Sequence, residues 1–304
     1  MIPRKVIVID DERMQSEALA KTIKAILPYS EVTPVWEEKD IVDVIENKFY
    51  NLAVLDIRMD QYEIDGIQIA KKIVEINPLA KIIFVSAFLN EYLPQILPLV
   101  QGGNILGFTE KKNYEEWGTE LQEIIQPYYE DLDKNPQQIQ TALLQAYSDL
   151  KDEKDACQRG VKFENFVAIL FSSMGFAEIK KRVKDKSGNE TDLIIRNDIE
   201  DAFIAKFGKY ILIECKNKTS DPVSKNDFIV FQTKLESTNG LAEIGFIITT
   251  TSFARTAYLE ALRDSKNSNH KVLFLDNILL LRLIQSDNML EELKHIIDDQ
   301  VKDN

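Results

Sequence analysis

Two cysteines, Cys157 and Cys215, and two histidines, His270 and His295, are all that 304 residues hold of either type. The cysteines have no spacing that suggests a zinc site, and so few of them point to a reducing cytoplasm. Two histidines are too few for a histidine-based metal cage and argue against a Ser-His triad. Long apolar runs are also missing. None approaches the roughly 20 residues needed to span a bilayer, so no membrane partner is expected. The opening Met-Ile-Pro-Arg-Lys is followed by Val6-Ile7-Val8-Ile9 and then Asp10-Asp11, which turns acidic too early for a signal peptide.

What is present in excess is negative charge, −13 in total, and its placement matters more than its size. Residues 1–133 hold 13 Lys/Arg against 24 Asp/Glu, and residues 287–304 hold 2 against 6. Residues 157–286 reverse the balance, with 19 Lys/Arg against 16 Asp/Glu. Net charge speaks to partners one domain at a time, so an acidic chain can still carry a mildly basic, nucleic-acid-facing second half. The length predicts about two domains, each with room for a core.

In the first 130 residues, aliphatic runs alternate with helix-period segments. Val6–Ile9, Leu52–Leu55, Ile82–Val85 and Ile105–Phe108 read as strands buried on both faces. Met14–Leu27 and Gly66–Ile76 carry apolar residues at helical spacing. Strand and helix in repetition predict a parallel doubly wound sheet, whose ligands sit at the carboxyl ends of the strands. The residues there are Asp10, Asp11, Asp56, Ser86 and Lys111. Three carboxylates at close range repel, and Mg²⁺ together with the Lys111 ammonium would relieve that while orienting a phosphoryl group for attack by Asp56. A plainer alternative is that aspartates after strands cap the next helix.

This constellation resembles a response-regulator receiver domain, with a flavodoxin-like fold, over about residues 3–130. The resemblance implies that Asp10 and Asp11 are the acidic metal-binding pair and Asp56 the phosphoacceptor. It makes Ser86 the hydroxyl switch residue, Phe108 the aromatic switch residue and Lys111 the lysine that completes the site. It also implies a sensor histidine kinase or another phosphodonor as partner. Two features depart from the family pattern. The turn Ile57–Asp65 is long and lacks a proline, and Lys112 stands where a proline is usual.

Residues 133–157 form a connector, with Ile139, Leu143, Tyr147 and Leu150 on one helical stripe. The stripe fits a helix packed on a partner or on a copy of itself, or one docked on its own domain.

From Phe163 the pattern is a helix, strands at Glu178–Arg182, Asp192–Ile195 and Tyr210–Lys216, then a helix at Phe228–Leu235. A strand at Ile244–Thr250, a helix at Phe253–Ser265 and a strand at Val272–Leu275 complete a mixed α/β sheet. Side chains alternate along a strand, so Glu214 and Lys216 share one face while Ile213 and Cys215 take the other. With Asp192 on a neighbouring strand, these residues could hold a divalent metal beside a phosphodiester. An ion pair on a half-exposed strand, with Asp192 as a turn residue, is the plainer alternative. Lys180, Lys181, Arg182, Lys184 and Lys186 form a basic run that reads either as phosphate contacts or as a solvated hairpin.

Glu190-Thr191-Asp192 followed by Glu214-Cys215-Lys216 resembles the PD-(D/E)xK nuclease superfamily. The helix opening at Phe163-Glu164 and the Gly245–Phe253 block are similar to those of Mrr-like restriction endonucleases. The resemblance implies a metal-dependent endodeoxyribonuclease in which Asp192 and Glu214 hold Mg²⁺ or Mn²⁺. Lys216 then orients the attacking water or stabilises developing charge, Glu164 completes the metal shell, and Gln232 touches the site or the DNA backbone. The expected organisation is a receiver at 1–132, a linker helix at 133–157 and a restriction-endonuclease-like domain at 158–304. The expected function is a two-component response regulator in which Asp56 phosphorylation controls DNA cleavage, through gating or homodimerisation. The alternative is a non-catalytic nucleic-acid-binding regulator that retains the nuclease fold.

Overall fold

The computed structural model describes residues 4–86, 89–111, 114–135, 137–184, 190–264 and 270–302. Two compact units divide the chain, one over 3–139 and one over 140–304. Among the described residues, no helix is long and apolar enough to cross a membrane.

The first unit runs β1 (Lys5–Ile9), α1 (Arg13–Ile26), β2 (Glu31–Val35), α2 (Glu38–Asn47), β3 (Leu52–Asp56) and α3 (Gly66–Ile76). It continues β4 (Lys81–Val85), α4 (Leu89–Gln101), β5 (Ile105–Thr109) and α5 (Tyr114–Lys134). All neighbouring strands are parallel, in the order β2-β1-β3-β4-β5. Three of the aliphatic runs became the inner strands, which are covered on both faces, whereas Ile105–Phe108, expected to be buried on both faces, lies in the edge strand β5 and is only half-buried there. β1 and β3 bury every residue along their whole length. The other edge strand, β2, has no such run. It contains Pro34, which lacks a ladder donor and is tolerated at a sheet edge.

α3 begins where the long turn of residues 57–65 closes. Asp65 caps it with a reciprocal Asp65–Gln68 capping box. The Gly66 amide donates to the Ile57 carbonyl at 3.0 Å. A Cβ on Gly66 would stand 1.9 Å from the Asp56 carbonyl oxygen, so only glycine lets the helix start this close to β3.

The connector helix α6 (Gln137–Asp152) leads into the second unit. Leu143, Tyr147 and Leu150 are all buried, and the Tyr147 ring lies 5.2 Å from that of Phe166. The stripe is therefore docked on its own domain.

The second unit continues with α7 (Ala156–Ser173), β6 (Ile179–Lys184), β7 (Glu190–Arg196), β8 (Tyr210–Lys216) and α8 (Lys225–Glu236). Then follow β9 (Ile244–Thr249), α9 (Arg255–Asp264), β10 (Lys271–Leu275), α10 (Asn277–Gln285) and α11 (Met289–Lys302). The sheet is mixed, in the order β10-β9-β8-β7-β6. β6, β7 and β8 are antiparallel neighbours, whereas β8, β9 and β10 run parallel. Phe171 of α7 meets Phe246 edge-on, so α7 covers the face that carries Phe246 and its β8 partner Ile213. Leu212 belongs instead to the cluster with Phe228, Phe231 and Leu235 of α8. Glu214 and Lys216 share the α8 face with Leu212, by alternation along the strand.

Overpacking at a backbone contact usually costs about 1–3 kcal/mol, and Gly66→Ala is expected to fall at the upper end. Trp36 and Trp117, the two tryptophans of the chain, both lie in the first unit, so their fluorescence reports its unfolding. Urea titration should show a clearly lower midpoint for the variant.

Candidate functional sites

In the first unit the strand ends bring Asp10, Asp11, Asp56, Ser86 and Lys111 together. Asp10 is fully buried, Asp56 is 5% exposed and Ser86 is 1% exposed. The Lys111 ammonium donates to Asp10 Oδ2 at 3.1 Å and forms a shorter ion pair with Asp56. The Glu12 amide donates to Asp10 Oδ1 at 2.9 Å, and the Arg58 amide to Asp56 Oδ1 at 3.2 Å. Burial raises the Asp56 carboxyl to about 6 against the pull of Lys111, and it raises Asp10 as well. Burial alone would lower Lys111, but its bonds to Asp56 and Asp10 outweigh that and keep it an ammonium.

One carboxylate oxygen from each of Asp10, Asp11 and Asp56 lies within 4.8 Å of the others. That is a hard, all-oxygen donor set at the spacing one divalent ion can bridge, and it fits Mg²⁺. The three are not simple helix caps. α1 has Glu12 at its cap position, without a side-chain cap bond, and α3 is capped by Asp65.

The long turn after Asp56 is tied over this pocket. The Gln61 amide donates to Asp11 Oδ2 at 3.1 Å, and Glu38 Oε1 accepts from the Glu63 and Ile64 amides at 2.9 and 3.2 Å. A cavity of about 380 Å³ remains, lined by Asp11, Asp56, Arg58, Gln61, Ser86 and Lys111 among others. It is large enough for a phosphoryl group and its waters. Phe108 stacks on Phe84 with ring centroids 6.2 Å apart and is half-buried. Lys112 lies outside the described residues.

In the second unit, register builds the site. Leu193 pairs with Ile213, so Asp192 falls opposite Glu214 at the next antiparallel step. The Cys215 amide donates to Asp192 Oδ2 at 2.7 Å and locks that carboxylate to the β8 strand. Burial, then the Glu214 charge, raises Asp192 to about 6. Burial also pushes the Cys215 thiol up, so it is no thiolate nucleophile. Glu164 on α7 adds to the negative field at Asp192 and accepts from Arg182 Nε at 2.8 Å. Arg182 interrupts the β6–β7 pairing and has φ of 51°, a left-handed conformation in mid-strand. Non-glycine residues hold such strain only where their surroundings impose it.

Glu214 is 5% exposed and shared between two cations. Lys216 Nζ donates to Oε1 at 2.9 Å and Lys234 Nζ to Oε2 at 2.8 Å. Lys216 also stands 3.7 Å from Asp227. As with Lys111, burial lowers Lys216 but the Glu214 bond outweighs it. Asp192 and Glu214 present hard oxygens of the kind a divalent cation takes, whereas Glu164 is bound to Arg182, and among the described residues only Asp10, Asp11 and Asp56 bring three carboxylates within reach of one ion.

Other site expectations fare differently. Gln232 donates to Glu236 Oε1 at 3.1 Å and bonds Asp264, so its amide is directed to α9. Residues two apart on a helix do not share a face. Gln232 and Lys234 flank the Phe228-Phe231-Leu235 stripe on opposite sides, and the Lys234 flank is the one that meets Glu214. Part of the basic run is used internally, with Lys181 donating to Asn165 Oδ1 at 2.8 Å and Arg182 bound to Glu164. Lys184 lies 3.5 Å from Glu190, and Lys180 is exposed. Lys186 and the turn at 187–189 lie outside the described residues.

Comparison with known proteins agrees with this division. The family model described as response regulator receiver domain matches residues 6–99, which include Asp10, Asp11, Asp56 and Ser86 but stop before Phe108 and Lys111. The chain thus carries a receiver domain at its N-terminal side. The family model described as restriction endonuclease, of the Mrr catalytic type, matches residues 157–284. Receiver and restriction-endonuclease domains in one chain define a response regulator with a nuclease-type output domain. Solved structures similar to this chain are receiver domains. A CheY-like receiver domain protein from Methanospirillum hungatei is 22% identical, with 45% of this chain and 98% of that one covered and a TM-score of 0.33. TrrA from Thermotoga maritima, in complex with Mg²⁺-BeF, is 21% identical, with 40% and 99% covered and a TM-score of 0.32. No curated protein matches the chain.

Because Gln232 is engaged with α9, Gln232→Ala is expected to leave whatever DNA binding and cleavage the parent shows within about twofold, as for most surface substitutions. Filter binding and plasmid cleavage would check this, and a tenfold loss in either would return Gln232 to the site.

Proposed function

We propose that this protein is a phosphorylation-controlled DNA endonuclease, organised as a receiver at 1–132, a connector helix at 133–157 and a nuclease domain at 158–304. The observation that carries the reading is the meeting of Asp192, Glu214 and Lys216 at the β7–β8 strand ends, inside the segment matched by the restriction endonuclease family.

A bound Mg²⁺, or Mn²⁺ in the second unit, supplies polarisation of a phosphoryl oxygen and acidification of a water. In the receiver, Asp10, Asp11 and Asp56 hold the ion. Asp56 presents a carboxylate oxygen to the phosphodonor, and Lys111 neutralises the charge that builds there. Phosphorylation adds a charge of about −1.5 to −2 beside Lys111 and Ser86, which biases the Ser86–Phe108 side of the unit. In the nuclease domain, Asp192 and Glu214 hold the ion with Glu164 nearby. Lys216 orients the attacking water or steadies the developing negative charge. Lys180 and Lys184, on the exposed edge of β6, meet the DNA backbone. The partners are a sensor histidine kinase or other phosphodonor, duplex DNA, and a second copy of the chain when both strands are cut. The setting is the cytoplasm.

One observation favours the second reading, a nucleic-acid-binding regulator without turnover. Both oxygens of Glu214 are occupied by lysines.

Supercoiled plasmid incubated with the protein and Mg²⁺ should be nicked or linearised, and Asp192→Ala or Lys216→Ala should each cut the rate by about 10²-fold or more. Beryllofluoride should change the rate in the parent and not in Asp56→Asn. A gel shift without nicking in any divalent metal would select the non-catalytic reading. Cleavage that survives both substitutions would remove the proposed site.

A further inference from the structure

Lys234 is absent from the Asp192…Glu214-x-Lys216 pattern, yet it makes the second of the two cation contacts to Glu214. Its ammonium bridges two strands, donating to Glu214 Oε2 on β8 at 2.8 Å and to the Glu190 carbonyl on β7 at 2.7 Å. Its side chain is 18% exposed and that of Glu214 is 7% exposed. The lysine approaches from α8, which also supplies Phe228, Phe231 and Leu235 to the core beneath it. Lys216 comes from the same strand as Glu214 and takes Oε1. Each oxygen of one buried carboxylate thus has its own ammonium, from two different elements.

A carboxylate oxygen with an ammonium at 2.8 Å is not open to a divalent cation approaching from that side. The two positive charges also repel each other at such range. We infer that Lys234 is a positioning residue that competes with the divalent cation for Glu214, holding the carboxylate until the cation displaces it. This inference rests on the nuclease reading of Asp192 and Glu214. It adds that metal loading requires the Lys234 ammonium to leave Oε2. The position of α8 against β7 and β8 therefore sets how tightly the site takes its ion. The Glu190 carbonyl gives the lysine a second acceptor close to Oε2.

A merely structural lysine predicts the opposite sign. Were Lys234 only a strap across β7 and β8, its removal would loosen the carboxylates and weaken metal binding. A competitor, when removed, strengthens it. Charge-assisted hydrogen bonds of this kind support an expected tightening of about tenfold.

The test is Mn²⁺ binding by isothermal titration calorimetry, without DNA, on the full chain. Asp10→Asn and Asp11→Asn in all samples keep the receiver from taking the probe. The parent should bind one Mn²⁺, and Asp192→Asn should abolish it. Lys234→Met should bind about tenfold more tightly, and Lys234→Arg, which keeps the positive charge, should stay near the parent. Should Lys234→Met fail to fold, Lys234→Gln removes the charge while retaining a donor for the Glu190 carbonyl, and it should show the same tightening. Mn²⁺ binding that is unchanged or weaker in the folded charge-removing variant overturns the competition while leaving the nuclease reading in place. Absence of any Asp192-dependent Mn²⁺ binding overturns both.

Discussion

A carboxylate buried at the end of a strand has to find a cation, and both halves of this protein are arranged around that requirement. Removing an ion from water costs several kcal/mol even after the protein relaxes, whereas an exposed pair contributes about 1 kcal/mol at most. Numerous surface pairs, such as Arg13–Glu17, therefore matter little beside three buried carboxylates. Asp10 and Asp56 share Lys111, and Glu214 is held between Lys216 and Lys234. A protein optimised for stability alone would place apolar side chains there. Charge retained at such positions is what phosphoryl chemistry needs.

The sheets explain why the charges sit where they do. β1 and β3 are buried along their whole length, so polar groups can gather only where the strands end. In the second unit the same result is reached by a different topology. Antiparallel register sets Asp192 opposite Glu214, and the Cys215 amide fixes the distance between the two strands' acidic groups. The threonines that close β9 hold the segment after Lys216 in place. Thr249 and Thr250 donate to the carbonyls of Lys216 and Lys218 at 2.9 and 3.0 Å, and Thr251 to that of Asp221 at 3.1 Å. The threonine-rich strand end, part of the Gly245–Phe253 block that resembles Mrr-like endonucleases, thus braces the lysine of the motif.

Irregular backbone marks both sites as well. The turn of residues 57–65 is anchored to Asp11 and Glu38, and glycine at position 66 allows α3 to start against the Asp56 carbonyl. Arg182 departs from strand geometry opposite Asp192 and reaches Glu164. Both of these irregularities sit beside a carboxylate cluster.

Aliphatic runs, alternation and strand-end residues were enough to determine two α/β domains, four of the five strands of the first sheet and all five of the second. They also pointed to Asp10, Asp11 and Asp56, which the fold gathers at one end of the first sheet, and to Asp192 and Glu214, which it sets on adjacent strands of the second. Unbroken apolar runs, alternation and the residues that close a strand are all carried by neighbours in the chain. β2 escaped because Pro34 and partial burial erase the aliphatic run at an edge. Only the tertiary structure shows that Lys234 reaches Glu214 while Gln232 bonds to Glu236 and Asp264. Lys234 and Gln232 both flank the apolar stripe of α8, and nothing in a helical period says which flank faces β8. The same holds for the basic run, where Lys181 and Arg182 bond to Asn165 and Glu164 of α7. Local pattern tells which residues are buried. Which buried charge meets which cation depends on how a helix is rotated against a sheet, and that is settled only when the whole core packs.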